Sequence, residues 1–449
     1  MTALILSRIQ FALTIGFHYL YPPLSIGLSV FIILIEALYL KRRDPKYLNI
    51  AKFWTKAFAL TFAMGVATGI VMVFQFGTNW AHYSKYVGDV FGAVLGAEGI
   101  FAFLVEAGFL GVLLFGWDRV SKGFHFFSTC MVSFGAHFSA VWIVIANSWM
   151  QTPSGHVIVG TGADAHAELK TFSEVIFNPS SMDRLVHVLI AAWLTGAFFV
   201  LSVSAYYLIK QRHLEFARTS MKVGLIFAVV MIVAQTISGD SSARTVVEYQ
   251  PTKLAAMEGV FKTQKSAPLF LIGFPDPKTN KTYGISIPGL LSFLSYRSFS
   301  AEIQGMDSFP KEDLPNTRAV FQTYRIMLAM WAAMLFTAAA GWILWRRIRE
   351  GRAKWLLWVM VFSVAFPQLA NQAGWFTAEM GRQPWIIYGI MRTADGYSKS
   401  VSAPQIISSI TVFAAIYIAL FSLFLFLLDR KIKKGPHEPI GELHVATHS

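Results

Sequence analysis

The stretch Trp355–Trp385, WLLWVMVFSVAFPQLANQAGWFTAEMGRQPW, decides how the rest of the chain is read. Its first two-thirds are strongly apolar. Its end, Gly374–Trp385, sets Glu379 between Trp375 and Trp385, with Arg382 one turn further on. Trp collects at membrane–water interfaces, so Glu379 is expected at or near the end of a membrane helix. Two readings stand at this point: an exposed salt bridge at a helix end, or a carboxylate held for a metal or a proton.

The 449-residue composition supports a membrane setting throughout: 55% hydrophobic, 15% aromatic and 14% charged. A soluble domain carries about 25% charged residues. The net charge of +13 does not point to nucleic acid, because Lys and Arg fall in short clusters between apolar runs. The single cysteine, Cys130, lies in an apolar run. It excludes an internal disulfide, a Cys-rich iron–sulfur site and a C-x-x-C-H haem attachment. The first apolar run is long and its basic cluster, Lys41-Arg42-Arg43, follows it, which is not the order of a secretory signal.

A helix needs roughly 20 apolar residues to cross a bilayer. Nine runs qualify: 11–40, 53–79, 91–117, 124–150, 185–209, 219–239, 321–345, 355–377 and 403–428. The expected fold is therefore an all-α polytopic membrane protein. Pro22-Pro23 is expected to kink the first run or to divide it, and Gly65-x-x-x-Gly69 to let helices approach. Basic clusters follow runs one, three, five, seven and nine, which puts the N-terminus outside and the C-terminus in the cytoplasm. The connection from about Asp240 to Val320 then lies outside; it is far longer than an ordinary loop and is expected to fold over the outer face.

Ionisable groups inside a bilayer cost roughly 2.5–3.5 kcal/mol each on the insertion scale and mark function by default. His187 and Met327 lie near the outer ends of their spans, and a His with a Met from another helix is a low-spin haem pair. The plainer readings are a hydrogen-bonded histidine and, among 16 Met, ordinary packing. Glu98 and Glu106 share a broad face of one helix, roughly 80° apart. With Ser139 and His137 on the next span they form either a proton ladder or a pair of protonated carboxyls. His18 stands near the end of the first run's outer part, as a metal ligand or a packed histidine. His18, Glu98, His187, Met327 and Glu379 thus come from five helices toward one side, which suggests a multi-haem site in a helix bundle. His82, His156 and His166 are expected in outer loops, His125 and His213 near the inner face, and His437, His444 and His448 in a polar tail, all solvated.

With these residues in place, the sequence resembles subunit I of the cytochrome bd-type quinol oxidases. The resemblance runs nearly end to end through Ser7-Arg8-Ile9-Gln10-Phe11, Trp54-x-Lys56, Gly65–Gly69, Phe74–Trp80, Phe115–Arg119, Lys253-Leu254-Ala255-Ala256-Met257-Glu258 and Gly381–Trp385. It implies that His187 and Met327 hold a low-spin haem b, and that His18 with Glu98 nearby and Glu379 mark two high-spin positions. One of these would take haem b and the other haem d, or a second haem b in its place. It implies that Lys253 and Glu258 act in quinol oxidation, that Glu106 and Ser139 lie on the proton route, and that Trp375 and Arg382 adjoin the haem cluster.

The division it implies is 1–239 for helices one to six, with the high-spin ligands and one low-spin ligand. The outer quinol-oxidation loop is 240–320, helices seven to nine are 321–428, and the cytoplasmic tail is 429–449. The implied reaction oxidises two quinols and reduces one oxygen to water in a bacterial inner membrane, separating charge without pumping. The implied partners are a subunit II and a small single-helix subunit, with quinol, oxygen and the bilayer. Two departures stand out: the outer loop lacks the long insertion of some relatives, and Gln372 stands where some carry a second acid. A haem–copper oxidase would need more intramembrane histidines, including an adjacent pair. A secondary transporter would show inverted repeats. A haem-bearing sensor without turnover would show haem bands but no oxygen-dependent quinol oxidation.

Overall fold

A computed structural model describes residues 2–98 and 103–436. Among these residues, eight helical stretches are long and apolar enough to cross a membrane. They match the expected runs with one exception. The run 91–117 is described as helices Gly88–Ala97 (α4) and Phe103–Phe115 (α5), on either side of residues 99–102, which lie outside the described part. The tail beyond 436, with His437, His444 and His448, also lies outside it.

The first span divides as the two prolines predict. Helix α1 (Ala3–His18) ends, the chain turns through Tyr19–Tyr21, and α2 (Pro22–Arg42) restarts with Pro at its first position. Proline has no N–H to offer and fits the first turn of a helix. The carbonyls freed at such a break need donors. Two amides one turn apart on a later helix supply them: Gln372 donates to the Gly16 carbonyl (2.7 Å) and Gln368 to that of Leu20 (2.9 Å). The two glutamines therefore tie that later helix to the first span.

Helix α3 (Pro45–Gly77) follows, and its Gly65-x-x-x-Gly69 pair serves a different purpose from the expected one. A β-carbon on Gly69 would stand 3.3 Å from the His18 ring, and one on Gly65 would stand 3.8 Å from Tyr21. The glycines make room for side chains rather than for a second backbone. The close backbone approach lies elsewhere, between α2 and α7 (Ser181–Ile209). A β-carbon on Gly27 would fall 2.2 Å from the Ala192 carbonyl oxygen, and one on Gly196 would fall 2.2 Å from the Gly27 carbonyl carbon.

Helix α7 is the centre of the bundle. It packs against α2, α6 (Lys122–Gln151), α8 (Leu214–Tyr249) and α12 (Lys354–Phe362), and its run Thr195–Ala205 is buried throughout. The stretch that opened the sequence reading is two helices. Helix α12 ends at Phe362 and α13 (Ala365–Arg382) begins two residues before Pro367. Ser202 of α7 donates to the Val361 carbonyl (2.5 Å), and Asn371 donates to Thr195 (3.0 Å). These two polar contacts seat the end of α12 and the start of α13 on the central helix.

The connection 240–320 is folded, as expected from its length. Helix α8 runs on to Tyr249, past the end of its apolar run, and α9 (Pro251–Glu258) follows after one residue. A hairpin of β1 (Leu269–Asp276) and β2 (Lys281–Ile287) packs on the start of α11 (Thr317–Ile343), and α10 (Leu290–Tyr296) lies against α8. Helix α14 (Ala403–Lys434) closes the chain. Replacing Gly196 with Val forces α2 and α7 apart; overpacking of this kind costs about 3 kcal/mol or more. The folded yield and unfolding midpoint of Gly196→Val measure that loss, and a wild-type midpoint would reject the crossing.

Candidate functional site

Helix α7 presents His187 in its second turn and α11 presents Met327 in its third. Each faces a glycine. A β-carbon on Gly374 would sit 2.9 Å from the Met327 sulfur, and one on Gly239 would sit 3.7 Å from the His187 ring. Ser238 lies 3.1 Å from His187 Nδ1, and the Gln235 amide nitrogen lies 3.1 Å from both ring nitrogens. Second-shell bonds of this kind orient a ligating imidazole. Iron at Nε2 would exchange the Gln235 contact for a metal bond.

The end of α13 gathers charge. Glu379 accepts from Asn147 at one oxygen (2.8 Å) and forms an ion pair with Arg382 at the other. The salt bridge of the plain reading is therefore present, but it is buried: the Arg382 side chain is 3% exposed and that of Glu379 16%. Asn147 in turn accepts from Arg184. Lys253, on α9 outside the spans, is buried against Gly381 and donates to Gln151 and Gln250, each at 2.5 Å. Burial, with the Arg184 and Arg382 charges beside it, holds the Lys253 amine well below its ordinary range.

Three basic side chains thus converge on one carboxylate. Arg184 Nε and Arg382 Nε and Nη1 are buried without a hydrogen-bond partner among the described residues. Orphaned buried donors are costly, the more so when charged. Carboxylates of a bound group would satisfy them, and a haem carries two propionates. The residues present fit the haem that the sequence resemblance implies.

Beside this cluster, Glu258 ends α9 and pairs with Arg325 of α11 at 2.5 Å, both buried. The Arg325 guanidinium also lies over Phe321 (4.7 Å) and Tyr324 (5.2 Å). Burial raises the Glu258 carboxyl above its ordinary range, and Arg325 pulls it back. Arg325 stands two residues before Met327 on α11, about 200° round the helix from it.

The remaining candidates lie further along the bundle. His18 Nδ1 is 2.9 Å from Thr68 of α3. Ser139 of α6 donates to Glu98 at 2.6 Å, joining two of the expected ladder residues. Glu106 is buried on α5; the helix expected to join it to Glu98 runs through residues outside the described part. Trp375 is half-buried against Phe376, with ring centroids 5.0 Å apart.

The solvated reading of the inner-face histidines is corrected. His125 is not solvated: it is 2% exposed and bonded to Glu36, because the first turns of α6 tuck under α2 and α5. His213 is half-buried against Tyr207 rather than free in solvent. Sequence reasoning also passed over Arg184, Asn147, Gln151, Gln250, Arg325, Gln235 and Ser238. The signal for the two arginines was available: each stands within one turn of a candidate ligand, at the rim of an apolar run. The amides gave none, since a neutral polar residue near a helix end is unremarked.

The sequence profile of "Cytochrome bd terminal oxidase subunit I" matches residues 6–436. "Cytochrome bd ubiquinol oxidase subunit 1" of Bacillus subtilis is 40% identical over 460 residues, covering 100% of this chain and 97% of its own length. "Cytochrome bd-II ubiquinol oxidase subunit 1" of Escherichia coli is 32% identical over 499 residues, covering 96% of each. A solved structure of the bd oxidase from Geobacillus thermodenitrificans superposes with a TM-score of 0.90 at 30% identity, covering 97% of this chain and 99% of that one.

Replacing Arg325 with Leu leaves Glu258 buried and unpaired. Breaking a buried pair this way costs about 3–5 kcal/mol, read as a fall in unfolding midpoint, and adding Glu258→Leu should recover part of it. An Arg325→Leu variant with the wild-type midpoint would show that the pair contributes nothing.

Proposed function

The chain belongs to the cytochrome bd terminal oxidase subunit I family, and we propose that its outer half is the face where quinol is oxidised and haem is held. As a member it is part of a quinol:oxygen oxidoreductase, a multi-pass membrane protein with haem cofactors that works with a subunit II. The finer assignments are our reading. His187 and Met327 hold a low-spin haem b. His18, with Glu98 nearby, and Glu379 serve two high-spin positions, one for haem b and the other for haem d or a second haem b. Trp375 and Arg382 border this cluster. The observation that carries the reading is the buried surplus of positive charge at Arg184, Arg382 and Lys253, which calls for the anionic edges of macrocycles between the helices.

Bound haem supplies one-electron chemistry and the iron at which oxygen is reduced. The chain's own residues supply the rest. Lys253 can donate to a quinol oxygen by exchanging one glutamine contact. Glu258, with its raised proton affinity, takes a quinol proton; Arg325 offsets the charge when the proton leaves. The protons for water enter from the opposite, basic face through Glu106 toward Glu98 and Ser139. On this reading the N-terminus is outside and the C-terminus in the cytoplasm of a bacterial inner membrane. A small single-helix subunit belongs to the same proposal.

Met327→Leu should remove the low-spin haem spectrum while the other haem bands persist, and an unchanged spectrum would remove Met327 as ligand. Glu258→Gln should lower quinol turnover by about 10²-fold, the usual worth of a general base, with haem content intact. Haem loss in that variant would make Glu258 structural.

A further inference from the structure

The β1–β2 hairpin has one covered face and one bare one. On the bundle side, a β-carbon on Gly273 would stand 3.1 Å from the Phe321 ring of α11, and Thr282 donates to the Gly259 carbonyl (2.7 Å). Side chains alternate along a strand, so the opposite face is carried by Ile272, Phe274, Tyr283 and Ile285. These form two directly opposed pairs, Ile272 with Ile285 and Phe274 with Tyr283, and Ile287 continues the row. All four paired side chains are more than half exposed. A two-stranded hairpin is marginal in water, and an apolar patch of this kind marks a contact with protein or membrane.

The fastening of the hairpin shows which way the bare face looks. Gln322 of α11 donates to the Gly273 carbonyl (2.8 Å). One turn earlier, Arg318 donates to the Pro275 carbonyl (3.2 Å) and pairs with Asp276 (2.7 Å). Arg318 and Gln322 head a stripe along α11: Ile326, Phe336 and Ile343 fall with them within about 100° round the helix. These three are exposed, and α11 belongs to a stretch long and apolar enough to cross a membrane. The stripe therefore faces acyl chains, and the hairpin hangs from its head, on the lipid side of α11 rather than over the middle of the bundle.

Polarity is graded along the hairpin in the same direction as along α11. Asp276 meets Arg318 and Gly273 meets Gln322, so residues further from the tip lie further along α11 into the membrane. The tip, Lys278, Thr279, Asn280 and Lys281, is exposed and polar. Next comes the aromatic pair, with the Tyr283 hydroxyl donating back to Thr279 (3.3 Å). The isoleucine pair follows. On α11 the matching order is Arg318, Gln322, Ile326. Both sequences follow the profile of a bilayer surface, where aromatic rings collect at headgroup level. A patch for a protein partner has an apolar centre ringed by polar groups; here the change runs along one axis.

We propose that the bare face of the β1–β2 hairpin is seated in the bilayer surface beside α11. Ile272 and Ile285 lie among the upper acyl chains, Phe274 and Tyr283 at headgroup level, and Lys278 and Lys281 beside lipid phosphates. The occupant of the face is phospholipid, and the hairpin is an interfacial anchor added to a chain that also spans. Nothing in this depends on where quinol binds.

The test uses the complete oxidase in lipid vesicles, with Cys130→Ser and a nitroxide on one added cysteine. The signal of the same oxidase without that cysteine is subtracted. Relaxation by oxygen, which concentrates in the bilayer, is compared with relaxation by a nickel chelate, which stays in water. From Lys278→Cys at the tip to Ile285→Cys on the face, the ratio of oxygen to nickel access should rise several-fold, with haem spectra and quinol turnover unchanged. Nickel access at Ile285→Cys equal to that at Lys278→Cys overturns the seat, because the face then lies in water. An immobilised label shielded from both reagents also overturns it and assigns the face to subunit II or a second copy of this chain. Ile272→Cys, across the pair, is read in the same way if Ile285→Cys does not assemble. Loss of the assembled oxidase in both places the face against protein and overturns the seat too.

Discussion

Buried positive charge in excess of buried negative charge is the condition around which one end of the bundle is arranged. Arg184, Arg382 and Lys253 come from three helices and share one carboxylate, Glu379. Each charge taken from water costs several kcal/mol unless it is matched. The neighbouring polar groups partly meet that cost: Asn147 bridges Arg184 to Glu379, and Gln151 and Gln250 receive Lys253. All of them stand at helix ends, on α6, α7, α9 and α13, so the site could not form on one helix or two. Such a surplus would match the anionic edges of macrocycles bound between the helices.

Much of this was open to reading in the chain. Long apolar runs give spans almost without ambiguity, because lipid leaves the backbone no alternative to the helix. The Pro22-Pro23 break, the folded outer connection and the candidate ligands His18, His187, Met327 and Glu379 stood out for the same reason: each interrupts an apolar pattern. Helix α13 shows the limit. Its apolar run with α12 is continuous in sequence; Pro367, which cannot donate to the Ser363 carbonyl, marks the break, but the hydroxyl that receives the broken end, Ser202, comes from a helix some 160 residues earlier.

What sequence did not disclose is pairing. Arg325 looked like one more residue at a helix start until Glu258 met it across the outer connection. His125 looked like an inner-face histidine until Glu36 and Trp117 enclosed it. Gly65 and Gly69 matched a helix-approach motif, while the actual approach is made by Gly27 and Gly196, which form no motif because they lie on different helices. Periodicity reports which face of a helix is apolar; it says nothing of which face of another helix it meets.

The Gly27–Gly196 contact has a mechanical meaning as well. It is backbone against backbone, so no rotamer change can lengthen or shorten it. Along α2 it stands nine residues from Glu36, and along α7 nine residues from His187, each about 13 Å. It is a fixed crossing of α2 and α7, with the buried Glu36–His125 pair toward one end and the candidate ligand His187 toward the other. Two helices joined there transmit displacement without absorbing it, and the span between the two ends is set by main-chain geometry alone.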